Sequence, residues 1–317
     1  MDADLLGQLV STGTAAHDTV REGHSVWTAW TLDLPVILPA CIVGFFYARG
    51  LRRWTVRHRQ HPWWKVASYY LGLGSLVLAI VSPIDSIGAH HFFMHMIQHE
   101  IIMLISIPLL LLGAPTTPVL RGMPKWLRLG VVAGLAADPI VRMVWRFLTQ
   151  PLIALIVSTG VLVAWHLIPG WYDAAVRNAN IHYIQHLSFA GTAFLFWWNV
   201  IDPAPLRASM GYLLRMVYIL VAATAQSVIA AMITLSDRTL YDVYVTARPI
   251  YDMSPHSDQE LGGLIMWVPG QMVHLIVIGA LFAVWAAQSE RRQREIEQQQ
   301  AEAEASASLG AAALHDA

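Results

Sequence analysis

The chain is 317 residues long, 56% hydrophobic and 13% charged, where a soluble domain carries about a quarter of its residues as charges. That balance excludes an ordinary soluble protein, and a formal net charge of −1 leaves no basic surplus for a nucleic-acid partner. The one cysteine, Cys41, excludes an intramolecular disulfide and any Cys-x-x-Cys metal or redox site, and within its apolar run it reads as a small buried residue.

In chain order, residues 1–31 form an arm expected on the periplasmic side. Asp2 and Asp4 stand where a cleavable signal would carry Lys or Arg, so no signal peptide is read there. Seven apolar windows follow, at Leu32–Ala48, Val66–Val81, His91–Leu112, Pro151–Ile168, His182–Ile201, Gly211–Ile233 and Leu264–Ala287. Each spans a bilayer alone or with its flanks, and backbone groups in lipid must be satisfied within their own segment, so all seven are read as helices. Between the third and fourth windows, Trp126–Leu148 holds an apolar run too short to span. It is broken at Asp138-Pro139 and flanked by Arg128 and Arg142, and reads as lying on the inner leaflet. Residues 289–317 open with charges and Gln and close in Ala-rich low complexity, a helical continuation expected to fray into partial disorder.

The basic residues orient this array. The first connection carries Arg49, Arg52, Arg53, Arg57, Arg59 and Lys65; the third carries Arg121, Lys125, Arg128, Arg142 and Arg146; the fifth carries Arg207 and Arg215; the tail carries Arg291, Arg292 and Arg294. The other side holds only Arg21, Arg177, Arg238 and Arg248. The positive-inside rule therefore puts the N-terminus outside and the tail in the cytoplasm, an alternation that an even number of spans would break. The expected fold is an all-α membrane protein, a bundle of seven transmembrane helices over residues 32–288.

With that orientation the histidines sort to one side. His17, His24, His90, His91, His95, His99, His166, His182, His186 and His256 fall outside or in the outer half of a span, whereas only His58, His61 and His315 are cytoplasmic. His91, His95 and His99 stand at i, i+4 and i+8, and each four-residue step drifts by only about 40°, so they make one stripe on one helical face. His182 and His186 repeat the spacing on the fifth window, the fourth window ends Trp165-His166, and His274 lies near mid-membrane on the last. An ionisable side chain in lipid is costly and marks a functional site by default. Two helices offering histidine pairs at similar depth can hold a metal between them. Without thiolates, imidazole and thioether favour copper, with zinc and haem iron left open. Met94 and Met96 read first as packing and second as ligands. Glu100 reads as a carboxylate orienting an imidazole or as a proton-handling group, Asp85 as an acceptor for a nearby histidine, and Asp258 as either an N-cap or a functional acid. His90 and His256, in loops or at helix ends, read as solvated or capping residues. The pair Gly262-Gly263 reads as structural, permitting close helix approach or a tight turn.

Several motifs resemble those of the CtaG-type cytochrome c oxidase assembly factors. They are His95-Met96-Ile97-Gln98-His99 with the run through Pro108 to Gly113; Trp165-His166 with Pro169 and Tyr172; His182 with His186; and Asp258-Gln259-Glu260-Leu261-Gly262-Gly263-Leu264-Ile265-Met266-Trp267. The likeness covers roughly Leu32 to Trp285 in the same order, and departs from the pattern at Ser106-Ile107, where smaller residues are expected. It implies a multi-pass bacterial inner-membrane protein that helps to assemble a haem–copper oxidase, with copper delivery the role usually proposed for the family. The partners implied are oxidase subunits, with periplasmic copper chaperones a further expectation.

The leading expectation is a non-catalytic, copper-handling assembly factor that binds the ion transiently through His91, His95, His99, His166, His182 and His186. Two rivals stay open. One is a haem-b electron carrier with axial histidines from the third and fifth windows. The other is a copper or proton transporter with Glu100 and His274 as its relay. No nucleophile–base pair or phosphate-binding glycine loop supports an enzyme.

Overall fold

The computed structural model describes residues 28–54, 61–203 and 210–315, with side chains through Glu302. His17, His24, His58, Arg21, Arg57, Arg59 and Arg207 lie outside the described residues, as does almost all of the N-terminal arm. Among the described residues the fold is helical throughout, without a strand.

The chain runs α1 (Leu34–Arg52), α2 (Trp63–Val81), the short α3 (Pro83–Gly88) and the central α4 (Phe92–Leu112). Next come α5 (Thr116–Gly122), α6 (Leu127–Ala137), α7 (Pro139–Leu148), α8 (Pro151–Leu167), α9 (Trp171–Arg177) and α10 (Ala179–Ile201). The chain ends with α11 (Tyr212–Thr234), α12 (Asp242–Thr246) and α13 (Pro255–His315). Short polar side chains start several of them. Asp33 accepts the Val36 amide at 3.2 Å, Asp138 accepts those of Ile140 and Val141, and Asn178 those of Asn180 and Ile181.

Five helices are long and apolar enough to cross a membrane: α1, α2, α4, α11 and α13. A sixth qualifies if α7 and α8, bent by 72° at Thr149-Gln150, count together. The seven expected windows are therefore not all met on length and composition. α8 has only 17 residues of its own, and α10, with 23, carries Asn180, His182, Gln185 and His186 in its first turns. α6 and α7 bury none of their residues, and α7 lines up exposed Ile140, Met143, Val144 and Phe147 on one stripe. The tail continues α13 as helix to His315, for it is rich in Ala, Glu, Gln and Arg and holds no proline. Cys41 is exposed on α1 rather than buried, since its position falls on that helix's outward face.

α4 is the hub. It packs against α2, α3, α10 and α13, and one apolar cluster surrounds its N-terminal half (Phe92, Met96, Leu162, Trp165, Tyr172, Phe189) while another surrounds its C-terminal half (Leu104, Ile107, Phe196, Trp197). In lipid, helices associate through close packing and not through exclusion of water, which places small residues at the contacts. Gly262 and Gly263 show this. A Cβ on Gly262 would lie 2.2 Å from the Phe92 ring of α4, and one on Gly263 would lie 2.3 Å from Thr234 Oγ1 of α11. The glycine pair is thus where α13 closes on both neighbours.

The middle of α4 is wound wide: Ile101–Ser106 is a π-helical segment, with the Ile107 amide reaching back to Ile102. In that register Pro108, which has no N–H, would have been the donor to the Met103 carbonyl. The indole of Trp197 on α10 supplies the missing donor at 2.8 Å. The wide turn, the proline and the tryptophan form one unit that fastens α4 to α10 just inward of the histidines.

Candidate metal centre

α4 and α10 face one another with their outer turns, and each presents an i, i+4 pair. His95 and His99 from α4 and His182 and His186 from α10 each offer a ring nitrogen, and those four atoms all lie within 4.8 Å of one another. Ring centroids are 4.3 Å apart for His95–His99, 4.1 Å for His182–His186, 5.0 Å for His95–His182 and 5.3 Å for His99–His186. His95, His99 and His186 are buried and His182 is half-buried, so His182 is the most accessible of the four. Nε2 of His95 and Nε2 of His182 stand 3.2 Å apart. Imidazole–metal bonds of about 2.0–2.1 Å in a tetrahedral site give a nitrogen–nitrogen separation of about 3.3 Å, so this pair already has the spacing of two ligands.

The surrounding hydrogen bonds prepare the nitrogens for that use. Tyr244 donates its one hydroxyl proton to the Gly88 carbonyl at 3.0 Å and stands 3.0 Å from Nδ1 of His95. Nδ1 must therefore carry the proton, which leaves the lone pair on Nε2, facing His182. Burial pushes the Tyr244 phenol well above its ordinary range, so it stays a neutral hydroxyl at any physiological pH. Both ring nitrogens of His99, and Nε2 of His186, are buried with no hydrogen-bond partner. Unpartnered buried polar atoms are rare and call for an explanation. Within the four-histidine group, a metal cation would satisfy one nitrogen each of His99 and His186 together.

A roof of aromatic rings covers the site. Phe92, Tyr172, Tyr241 and Tyr244 pack at centroid distances from 4.5 to 6.2 Å, and Asp173 accepts the Val243 amide, tying α9 to α12. The segment Asp258-Gln259 fixes this roof. Gln259 accepts the Leu240 amide at 2.6 Å and donates to the carbonyls of Ile233 and Arg238. Asp258 caps not its own helix but α4, accepting the amides of Phe92 at 2.8 Å and Phe93 at 2.9 Å.

The other candidates fall elsewhere. His91 is not on the histidine stripe, because α4 begins one residue later and His91 is its extended cap residue. Its Nε2 accepts the amides of Ile250 and Tyr251, both at 3.0 Å, and its Nδ1 stands 3.4 Å from Asp258, so both nitrogens are engaged away from the group. His166 stands beside the four, its ring 6.5 Å from that of His99. Nδ1 is bonded to the Leu162 carbonyl, and the buried Nε2 has no partner. Asp85 accepts from Gln98 at 2.7 Å and not from a histidine, since Gln98 occupies that side of α4. Glu100 also turns away from the imidazoles, accepting from Gln226 of α11 at 3.1 Å. Met96 is packed in the apolar cluster and Met94 is buried on α4. His274 lies deeper, donating to the Gly270 carbonyl at 2.8 Å and stacked on Trp197. Sequence reading missed Tyr244 as the partner of His95, a contact 149 residues distant in the chain; its place in a Tyr-rich outer connection was the one available signal.

The pattern of one protein family, described as cytochrome c oxidase caa3 assembly factor, matches residues 45–288. The chain is also 26% identical to an uncharacterized protein of Mycobacterium leprae over 279 residues, and to uncharacterized proteins of Mycobacterium bovis and Mycobacterium tuberculosis over 277 residues. These alignments cover 84% of this chain but only 40% of each relative, so the chain spans less than half the length of the curated relatives it matches. No solved structure matches it.

Proposed function

We propose that this chain, which belongs to the cytochrome c oxidase caa3 assembly factor family, binds copper as cargo in its four-histidine group and passes it to subunits of a haem–copper oxidase. The observation that carries the reading is the coincidence of four convergent imidazoles with the unpartnered ring nitrogens of His99 and His186. Imidazole in the absence of thiolate suits copper, and the affinity order of divalent first-row metals peaks there. His95, His99, His182 and His186 hold the ion, Tyr244 orients His95, and half-buried His182 stands at the entry. The chain supplies binding and transfer and transforms no substrate.

The same reading sets the molecule in a bacterial inner membrane with seven spans and its N-terminus outside. α10 counts as a span because its polar residues turn inward: Gln185 and Asn199 are 0% and 1% exposed, while Ile184 and Leu187 are 59% and 74% exposed. The excess of Lys and Arg on alternate connections supports the orientation and puts the histidines on the outer side. α6 and α7, with their unburied apolar stripe and Arg142 and Arg146, suit the inner leaflet surface. The haem reading is disfavoured, for rings 4.1 to 5.3 Å apart leave no slot for a macrocycle between α4 and α10.

The test is metal analysis of purified protein beside oxidase assembly in the same strain. Wild type should retain copper, and His95→Gln/His99→Gln should lose the ion held by the four histidines and lower the copper content of the oxidase. A double variant that still supports a fully metallated oxidase defeats the proposal.

A further inference from the structure

Inward of the four histidines, a small cavity opens in the bundle core between α4, α8, α10, α11 and α13. Its volume is about 40 Å³, which exceeds the roughly 10–15 Å³ that one small occupant such as a water molecule requires. Much of the wall is apolar, from Leu104, Leu162, Phe196 and Trp197, but His274, Gln226, Ser158, Thr159 and the thioether side chain of Met103 also line it. A purely structural cavity in a membrane bundle has no need of an imidazole, and His274 is 3% exposed. Its Nδ1 gives its proton to the Gly270 carbonyl, which fixes the tautomer with the lone pair on Nε2, the form that ligates a metal.

The cavity adjoins the outer group. Met103 follows His99 by one turn of α4, about 6 Å of rise. Leu162, in the cavity wall, is the residue whose carbonyl orients His166, and the His166 ring lies 6.5 Å from that of His99. Imidazole and thioether together select a soft monovalent cation, cuprous copper above the harder divalent ions. Resting on the copper reading of the outer group, we propose that this cavity is a second, inner cuprous station. Its ligands are His274 Nε2 and Met103 Sδ.

The station is tested with cuprous ion added to the full chain in detergent under reducing conditions, followed by copper counting and X-ray absorption. The expected result is two ions per chain and a sulfur scatterer that no histidine can provide. Met103→Leu, which keeps the side-chain volume, should remove the sulfur signal and lower the count to one, as should His274→Gln. His95→Gln/His99→Gln should keep one ion together with its sulfur. Cys41→Ser, on the exposed face of α1, should leave the sulfur signal in place. One ion bound by nitrogen alone in wild type, or a sulfur signal that survives Met103→Leu, overturns the inner station and leaves the outer group standing. A wild-type chain that retains no copper overturns both.

Discussion

Two neighbouring stretches at the N-terminal end of α4 put histidine to opposite uses. At the cap, Nε2 of His91 accepts two backbone amides and Nδ1 stands 3.4 Å from the Asp258 carboxylate, so both nitrogens face groups of the fold. One and two turns inward, His95 meets His182 across the helix interface, and His99 has neither nitrogen bonded. A buried imidazole with its partners in place holds backbone together, and one without them waits for a ligand. The pairing of the nitrogens, more than the residue type, divides structure from function along this helix.

That contrast can be broken most directly at His99. His99→Gln should weaken copper binding by at least about 100-fold, since it removes a ligand where loss of a mere supporting group costs 10–100-fold. Its thermal stability without metal should not fall, because no native hydrogen bond is lost; a melting temperature lowered as far as that of a cap variant would show that His99 is structural. Tyr244→Phe should come next on the metal side, weakening copper binding by about 10- to 100-fold at unchanged stoichiometry, through loss of the acceptor that fixes the His95 tautomer.

The cap should respond in reverse. Asp258→Ala strands the amides of Phe92 and Phe93 and should cost about 2 kcal/mol of stability in a detergent melt, while copper stoichiometry is kept. Loss of copper without loss of stability would move Asp258 into the metal site. The smallest effect is expected on the opposite side of the molecule, where His61 lies 2.7 Å from the Tyr47 hydroxyl. Burial, aided by Lys65, holds the His61 pKa below its ordinary value near 6.5. The unfolded chain therefore takes up the proton first, and stability should fall as pH drops below about 6.5 toward the folded value. A His61→Asn variant should flatten that part of the stability profile.

Much of this was legible in the sequence, and what was not has physical causes. The spacing of His95 with His99 and of His182 with His186 depends only on helical geometry, so the pairs could be read before the helices were seen. His91 shares that spacing and does not share the helix, because a turn at Ala89-His90 leaves His91 extended and starts α4 one residue later. Asp258 looks like the cap of its own helix, and only packing 166 residues away makes it the cap of α4. Gln98 reaches Asp85 in place of an imidazole because the α4 face toward α2 and α3 is not the histidine face. α10 keeps an apolar surface in spite of its polar residues because Gln185 and Asn199 look inward, which hydropathy cannot weigh. The aromatic roof comes from chain segments that no local pattern joins.

The wide turn at Ile101–Ser106 gives α4 one surplus residue relative to a regular helix. The part before it, which aims His95 and His99, and the part after it, which carries Pro108, are therefore geared separately. Excising a single residue between them would swing one part about 100° against the other. Trp197 would lose its acceptor, and the two ends of the helix could no longer address the same partner together.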